Sequence, residues 1–93
     1  MRPRRLTKEE SDKLRQKPFA MDKYTMMRAL DRLGFRKLDD IVKYGEIWQE
    51  GKNKFRAVIP IKKQKMAYVI FEEYAEFLEF KTCGITVRKD RWG

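Results

Sequence analysis

The chain has 93 residues, 42% hydrophobic and 40% charged with twelve aromatic rings, the make-up of one small folded domain and not of a disordered segment. Twenty-three lysines and arginines against fourteen acids leave a formal charge of +9, which points to a polyanionic partner. With no histidine and one cysteine, imidazole acid–base chemistry and the usual nitrogen or sulfur metal sites are excluded, so neither a metal nor a cofactor is expected.

No apolar run approaches the ~18 residues of a membrane helix, and Met1 to Arg5 leads into a polar stretch, so the expectation is a cytosolic protein without membrane contact. Cys83 lies between Thr82 and Gly84-Ile85 and reads as a small, buried or half-buried strand residue. The charge is uneven. Residues 1–37 hold twelve basic and five acidic residues, whereas residues 38–93 hold eleven and nine.

In chain order, Met1-Arg2-Pro3-Arg4-Arg5 is a basic arm in which Pro3 disfavours helix. Thr7 and Glu10 have the spacing of a capping box, which predicts a short helix from Lys8 to about Gln16, stopped by Pro18. Residues 1–21 thus form an arm with a short helix, ahead of one α+β domain over 22–93. Asp22 is the next N-cap candidate, and Met26, Met27, Leu30 and Leu33 recur at helical steps before Gly34. Leu38, Ile41 and Val42 repeat that spacing between Arg36 and Tyr44, and Gly45 marks the stop.

After Gly45 the period falls to two. Ile47-Trp48 opens a strand that ends in the turn-forming Glu50-Gly51-Lys52-Asn53. Phe55, Ala57, Ile59 and Ile61 alternate with Lys54, Arg56, Val58 and Pro60, a half-buried strand with an edge or bulge at Pro60. Lys62 to Lys65 is the hairpin connection. Met66 to Phe71 is nearly all apolar and predicts a central strand covered on both faces. Phe77 to Phe80 makes a further strand, which Gly84 separates from Ile85 to Arg88. The expected fold is α+β: two or three N-terminal helices packed on one face of a four- to five-stranded antiparallel sheet.

The stretches Tyr24-Thr25-Met26-Met27-Arg28-Ala29-Leu30-Asp31-Arg32-Leu33-Gly34-Phe35 and Leu38 to Ile47 resemble the helix pair that opens proteins of the BrnT and RelE-like toxin superfamily and a related uncharacterised domain family. Ala67 to Phe71 and Ile85 to Trp92 resemble that group's later strands, so the likeness spans residues 22–92. It departs at Tyr24, where those families commonly carry a histidine, and at the extra residue Leu33. The resemblance implies a compact α+β domain from a phage or toxin–antitoxin-like element, whose members either cut RNA or bind a protein partner.

Three constellations carry functional expectations. Arg2, Arg4, Arg5, Lys54, Arg56, Lys62, Lys63, Lys65, Arg88 and Arg91, with Trp92 as an exposed ring, are the candidate contacts to nucleic acid, either RNA or a single strand, since neutralised phosphates release counterions. A second reading is a protein-interaction module or inhibitor, docking through Glu72, Glu73, Glu76 and Glu79. A third is a metal-independent, RelE-like ribonuclease whose candidate catalytic groups are Lys54, Arg56, Tyr68, Arg88 and Arg91.

Overall fold

The computed structural model describes residues 2–32, 35–62 and 64–87. In chain order the elements are β1 (Arg4–Arg5), α1 (Lys8–Arg15), β2 (Phe19–Ala20), α2 (Lys23–Arg32), α3 (Phe35–Tyr44), β3 (Glu46–Gln49), β4 (Lys54–Lys62), β5 (Lys65–Glu73) and β6 (Leu78–Val87). The six strands form one sheet in the order β1-β3-β4-β5-β6-β2.

This architecture corrects the expected one. The sheet has six strands, not four or five, and is mixed, because β2 runs parallel to β6 while the other pairs are antiparallel. Sheet dominates the molecule, and helices are the lesser part. The physical reason is that two-residue strands carry no periodicity. Arg4-Arg5 and Phe19-Ala20 become strands only because the edges of β3 and β6 offer them backbone partners.

The first twenty residues therefore supply both edges of the sheet. Leu6 extends β1 by donating its N–H to the Ile47 carbonyl at 2.9 Å, and Leu78 donates to the Pro18 carbonyl at the opposite edge. Between them α1 starts with the anticipated capping box: Thr7 Oγ1 accepts the Glu10 N–H at 3.2 Å and the Glu10 carboxylate accepts the Thr7 N–H at 3.0 Å. Leu6 and Leu14 are buried, which joins this leader to the core.

One face of the sheet carries that core. Phe55 and Ala57 of β4, Ala67, Val69 and Phe71 of β5, and Leu78, Phe80 and Cys83 of β6 pack with Ile41 and Val42 of α3 and Leu14 of α1. Phe71 is fully buried at its centre, stacked on Phe55 at 5.6 Å and edge-on to Phe19 and Phe80. In contrast to the expected apolar stripe of α2, Met27 stands 58% exposed.

A further correction concerns β6. Gly84 does not separate two strands; β6 runs unbroken past it, and its irregularity lies at Lys81, where the register with β5 shifts between Ile70 and Phe71. The register of β4 and β5 also shifts between Pro60 and Lys62, the site anticipated for Pro60. β5 is central in the order of strands; Ala67, Val69 and Phe71 on one face are buried, and Met66, Tyr68 and Ile70 on the other are half-buried.

Gly45 joins α3 to β3 at a crossing that admits no side chain. A Cβ there would lie 2.4 Å from the carbonyl oxygens of both Ile41 and Val58. Among the described residues no helix is long and apolar enough to cross a membrane.

Candidate nucleic-acid interface

The second face of the sheet is set by strand register. Arg5, Trp48, Arg56, Ile70 and Thr82 follow one another across β1, β3, β4, β5 and β6, and Glu46, Val58, Tyr68 and Gly84 form the adjacent row. The row beyond pairs Lys54 with Glu72 and Glu72 with Glu79. Because side chains alternate along a strand, all of these point away from the core face. Trp48, Arg56, Tyr68, Ile70 and Thr82 are half-buried, and Val58 on the same face is buried at 1% exposure.

At its centre Tyr68 lies across Gly84, and the Arg56 guanidinium sits 5.2 Å from the centroid of the Tyr68 ring. Arg56 Nε is 3.0 Å from a Glu50 carboxylate oxygen without hydrogen-bond alignment, so that contact is an ion pair. Their side chains are only 18% and 16% exposed. Beside them, Trp48 Nε1 is buried with no partner among the described residues.

The charges on this face are largely matched. Arg5 pairs with Glu46 at 3.4 Å, Arg56 with Glu50, and Lys81 at the β6 bulge with both Glu72 and Glu79. Hydrogen bonding to Lys81, and then to the Tyr74 hydroxyl, holds the Glu72 carboxyl below its ordinary range. The same two carboxylates push the Lys81 ammonium upward.

Of the candidate cations, Arg5, Lys54 and Arg56 share this face. Arg4 does not: it pairs with Gln49 in register and turns to α1, where its guanidinium clamps the Glu10 carboxylate at 3.1 and 2.9 Å. Arg2 is exposed ahead of β1. Lys54 and Lys62 stand at opposite ends of β4, roughly 26 Å apart at ~3.3 Å per residue, and Lys65 pairs with Lys62 at the far end. The basic hairpin is therefore not one continuous patch. Lys63, Arg88, Arg91 and Trp92 lie outside the described residues.

Of the acidic block, Glu72 and Glu79 are engaged by Lys81, and Glu73 receives Lys17 Nζ at 2.7 Å; Glu76 is exposed. Of the catalytic candidates, Arg56 and Tyr68 touch, and Lys54 is the next residue on that face of β4. Among the described residues no group of histidine, cysteine, aspartate or glutamate could hold a metal ion.

A second feature was not anticipated. Where β1, α1 and the α3–β3 junction meet, a cleft of about 210 Å³ is lined by Arg5, Lys8, Ser11, Arg15, Tyr44 and Glu46 among others. Arg15 is fixed there: its Nε donates to the Val42 carbonyl at 2.7 Å and its Nη2 to the Gly45 carbonyl at 3.0 Å, which caps the end of α3. Lys8 and Arg15 were hidden in sequence because they read as the solvated side of a short helix. The one available signal was their spacing of seven, which puts them on the same side of α1.

Comparison with family models, curated proteins and solved structures found no match.

Proposed function

We propose that this protein binds single-stranded nucleic acid, RNA being one form, with bases stacked on the second sheet face and phosphates drawn to the neighbouring basic cleft. The observation that carries the reading is Trp48, Arg56 and Tyr68 gathered on three adjacent strands, on the face opposite the core cluster. Flat rings beside guanidinium groups suit unpaired bases, which present a π-face whatever their identity; each stacked base contributes ~1–3 kcal/mol. The net charge of +9 supports the same partner, because cations that neutralise phosphates release counterions.

Arg5 links the two parts. It sits opposite Trp48 in register and also lines the cleft, so a strand lying over Trp48 has its phosphates beside the basic leader. The likeness to BrnT and RelE-like proteins, and an origin in a phage or toxin–antitoxin-like element, belong to the same proposal and rest on the sequence pattern.

A salt titration tests it. Binding of a random single-stranded oligonucleotide, followed by the fluorescence of Trp48 in a Trp92→Phe background, is expected to quench the indole and weaken steeply as salt rises. Binding that leaves Trp48 unquenched, or no binding at low salt, would overturn the proposal.

A further inference from the structure

The cleft between β1, α1 and the α3–β3 junction has a chemistry narrower than general attraction for polyanions. Three cationic residues line it, Arg5, Lys8 and Arg15, together with Ser11, Tyr44 and one acidic residue, Glu46. Ser11 is the buried polar residue among those described, at 5% exposure, and Tyr44 is 75% exposed, so the lining runs from a buried serine to an exposed tyrosine. Three positive groups against Glu46 and the Asp12 carboxylate paired with Arg15 leave an excess of one. A phosphate monoester at neutral pH carries ~−1.5 to −2, and its three terminal oxygens accept strong hydrogen bonds.

Size points the same way. At about 210 Å³ the cleft exceeds the ~150 Å³ that houses a benzene ring and falls short of the ~300 Å³ where drug-sized pockets begin. A phosphate with the first carbons of its sugar fits that space, and the rest of the strand extends from the open cleft toward Trp48. Arg15 is already oriented: the Val42 and Gly45 carbonyls and, at 3.0 Å, the Asp12 carboxylate engage three of its five N–H donors. Asp12 offsets part of its charge from outside the lining. Arg5, paired with Glu46 at 3.4 Å, lies on the side of the cleft nearest the sheet.

From this we infer that the cleft is a subsite for the terminal phosphate monoester of a single strand, an inference that rests on the nucleic-acid reading above. An internal phosphodiester carries one charge and must continue in both directions. The cleft, walled by three elements, accepts the end of a chain, and Arg5 then leads the strand onto Trp48.

The experiment uses the full chain and three labelled oligonucleotides of one sequence, bearing a 5′-phosphate, a 3′-phosphate, or hydroxyls at both ends, at an ionic strength of about 0.15 M. One phosphorylated form is expected to bind about tenfold more tightly than the hydroxyl form, roughly 1.4 kcal/mol, and excess inorganic phosphate is expected to erase the difference. Lys8→Gln, at an exposed position, should cut that advantage severalfold, and Arg15→Gln should remove it. Since Arg15 also ties α1 to α3, circular dichroism must show Arg15→Gln folded, and Lys8→Gln keeps the test independent of that. Equal affinity for all three oligonucleotides overturns the inference while a steep salt dependence leaves the nucleic-acid reading standing; no binding to any of them overturns both. A phosphoserine peptide that binds more tightly than the phosphorylated oligonucleotides also overturns it.

Discussion

The ring of Tyr68 lies so close over Gly84 on the next strand that a Cβ at position 84 would sit 2.8 Å from its hydroxyl oxygen and 3.1 Å from two ring carbons. The glycine leaves the space that the aromatic ring fills, a cross-strand pairing in which each residue requires the other. Gly84→Ala is expected to destabilise the protein by ~1–3 kcal/mol, since the ring must move off the strand and away from Arg56. Urea denaturation measures this, and Tyr68→Ala in the same chain should recover part of the loss. Additive effects of the two substitutions would show that they do not interact.

Phe71 is the residue on which the core depends most. It is fully buried and meets Phe19, Phe55 and Phe80. Phe71→Ala should cost ~3–5 kcal/mol, about half of the ~5–10 kcal/mol available to a domain of this size, and leave a chain partly unfolded at 37 °C. Loss of the cooperative thermal transition is the readout. A fall of a degree or two in Tm would mean that the sheet does not rely on this ring.

The start of α1 makes stability depend on acid. Hydrogen bonds from the Arg4 guanidinium, and then from the Thr7 backbone N–H, lower the Glu10 carboxyl from 4.5 to about 2. A carboxyl depressed in the folded state adds stability that is complete above its unfolded value and is lost as pH falls through the folded one. Thermal stability should therefore decline between about pH 4.5 and 2, and Glu10→Gln should flatten that part of the profile. Thr7→Ala removes the other half of the box and should cost ~1 kcal/mol at neutral pH, measured by urea. An unchanged acid profile in Glu10→Gln would contradict the assignment.

Glu46 and Glu50 compete with any phosphate for Arg5 and Arg56. If nucleic acid takes those guanidiniums, Glu46→Gln should raise affinity for a single strand severalfold, whereas Arg56→Gln should lower it by about tenfold. Fluorescence anisotropy at fixed salt reads both. Opposite signs in the two variants separate a binding face from one that is merely ion-paired. In Glu50→Gln the affinity gain should be accompanied by a stability loss of ~1–2 kcal/mol, because that pair is mostly buried.

Cys83 is buried at 3% exposure within β6. Its thiol should react with a disulfide reagent only as fast as the sheet opens, slowly in the native protein and at once in denaturant. Rapid labelling of the native chain would place β6 among the weakly held strands.

Read alone, the amino-acid order determined whatever depends on near neighbours. Thr7 and Glu10 announced the capping box, strict alternation from Lys54 to Ile61 announced β4, and Pro60 marked an irregularity where the register with β5 does shift. Each signal lies within a few residues, where backbone geometry and side-chain periodicity act directly. Tertiary structure decided the rest. Arg4-Arg5 and Phe19-Ala20 are strands only beside Gln49-Trp48 and Leu78-Glu79, and Arg15 becomes a cap for α3 only once a chain 27 residues further on comes within 2.7 Å. Charge shows the same division: a count gives +9, but which carboxylate meets Arg5, Arg56 or Lys81 depends on contacts between distant segments, and composition holds no record of those.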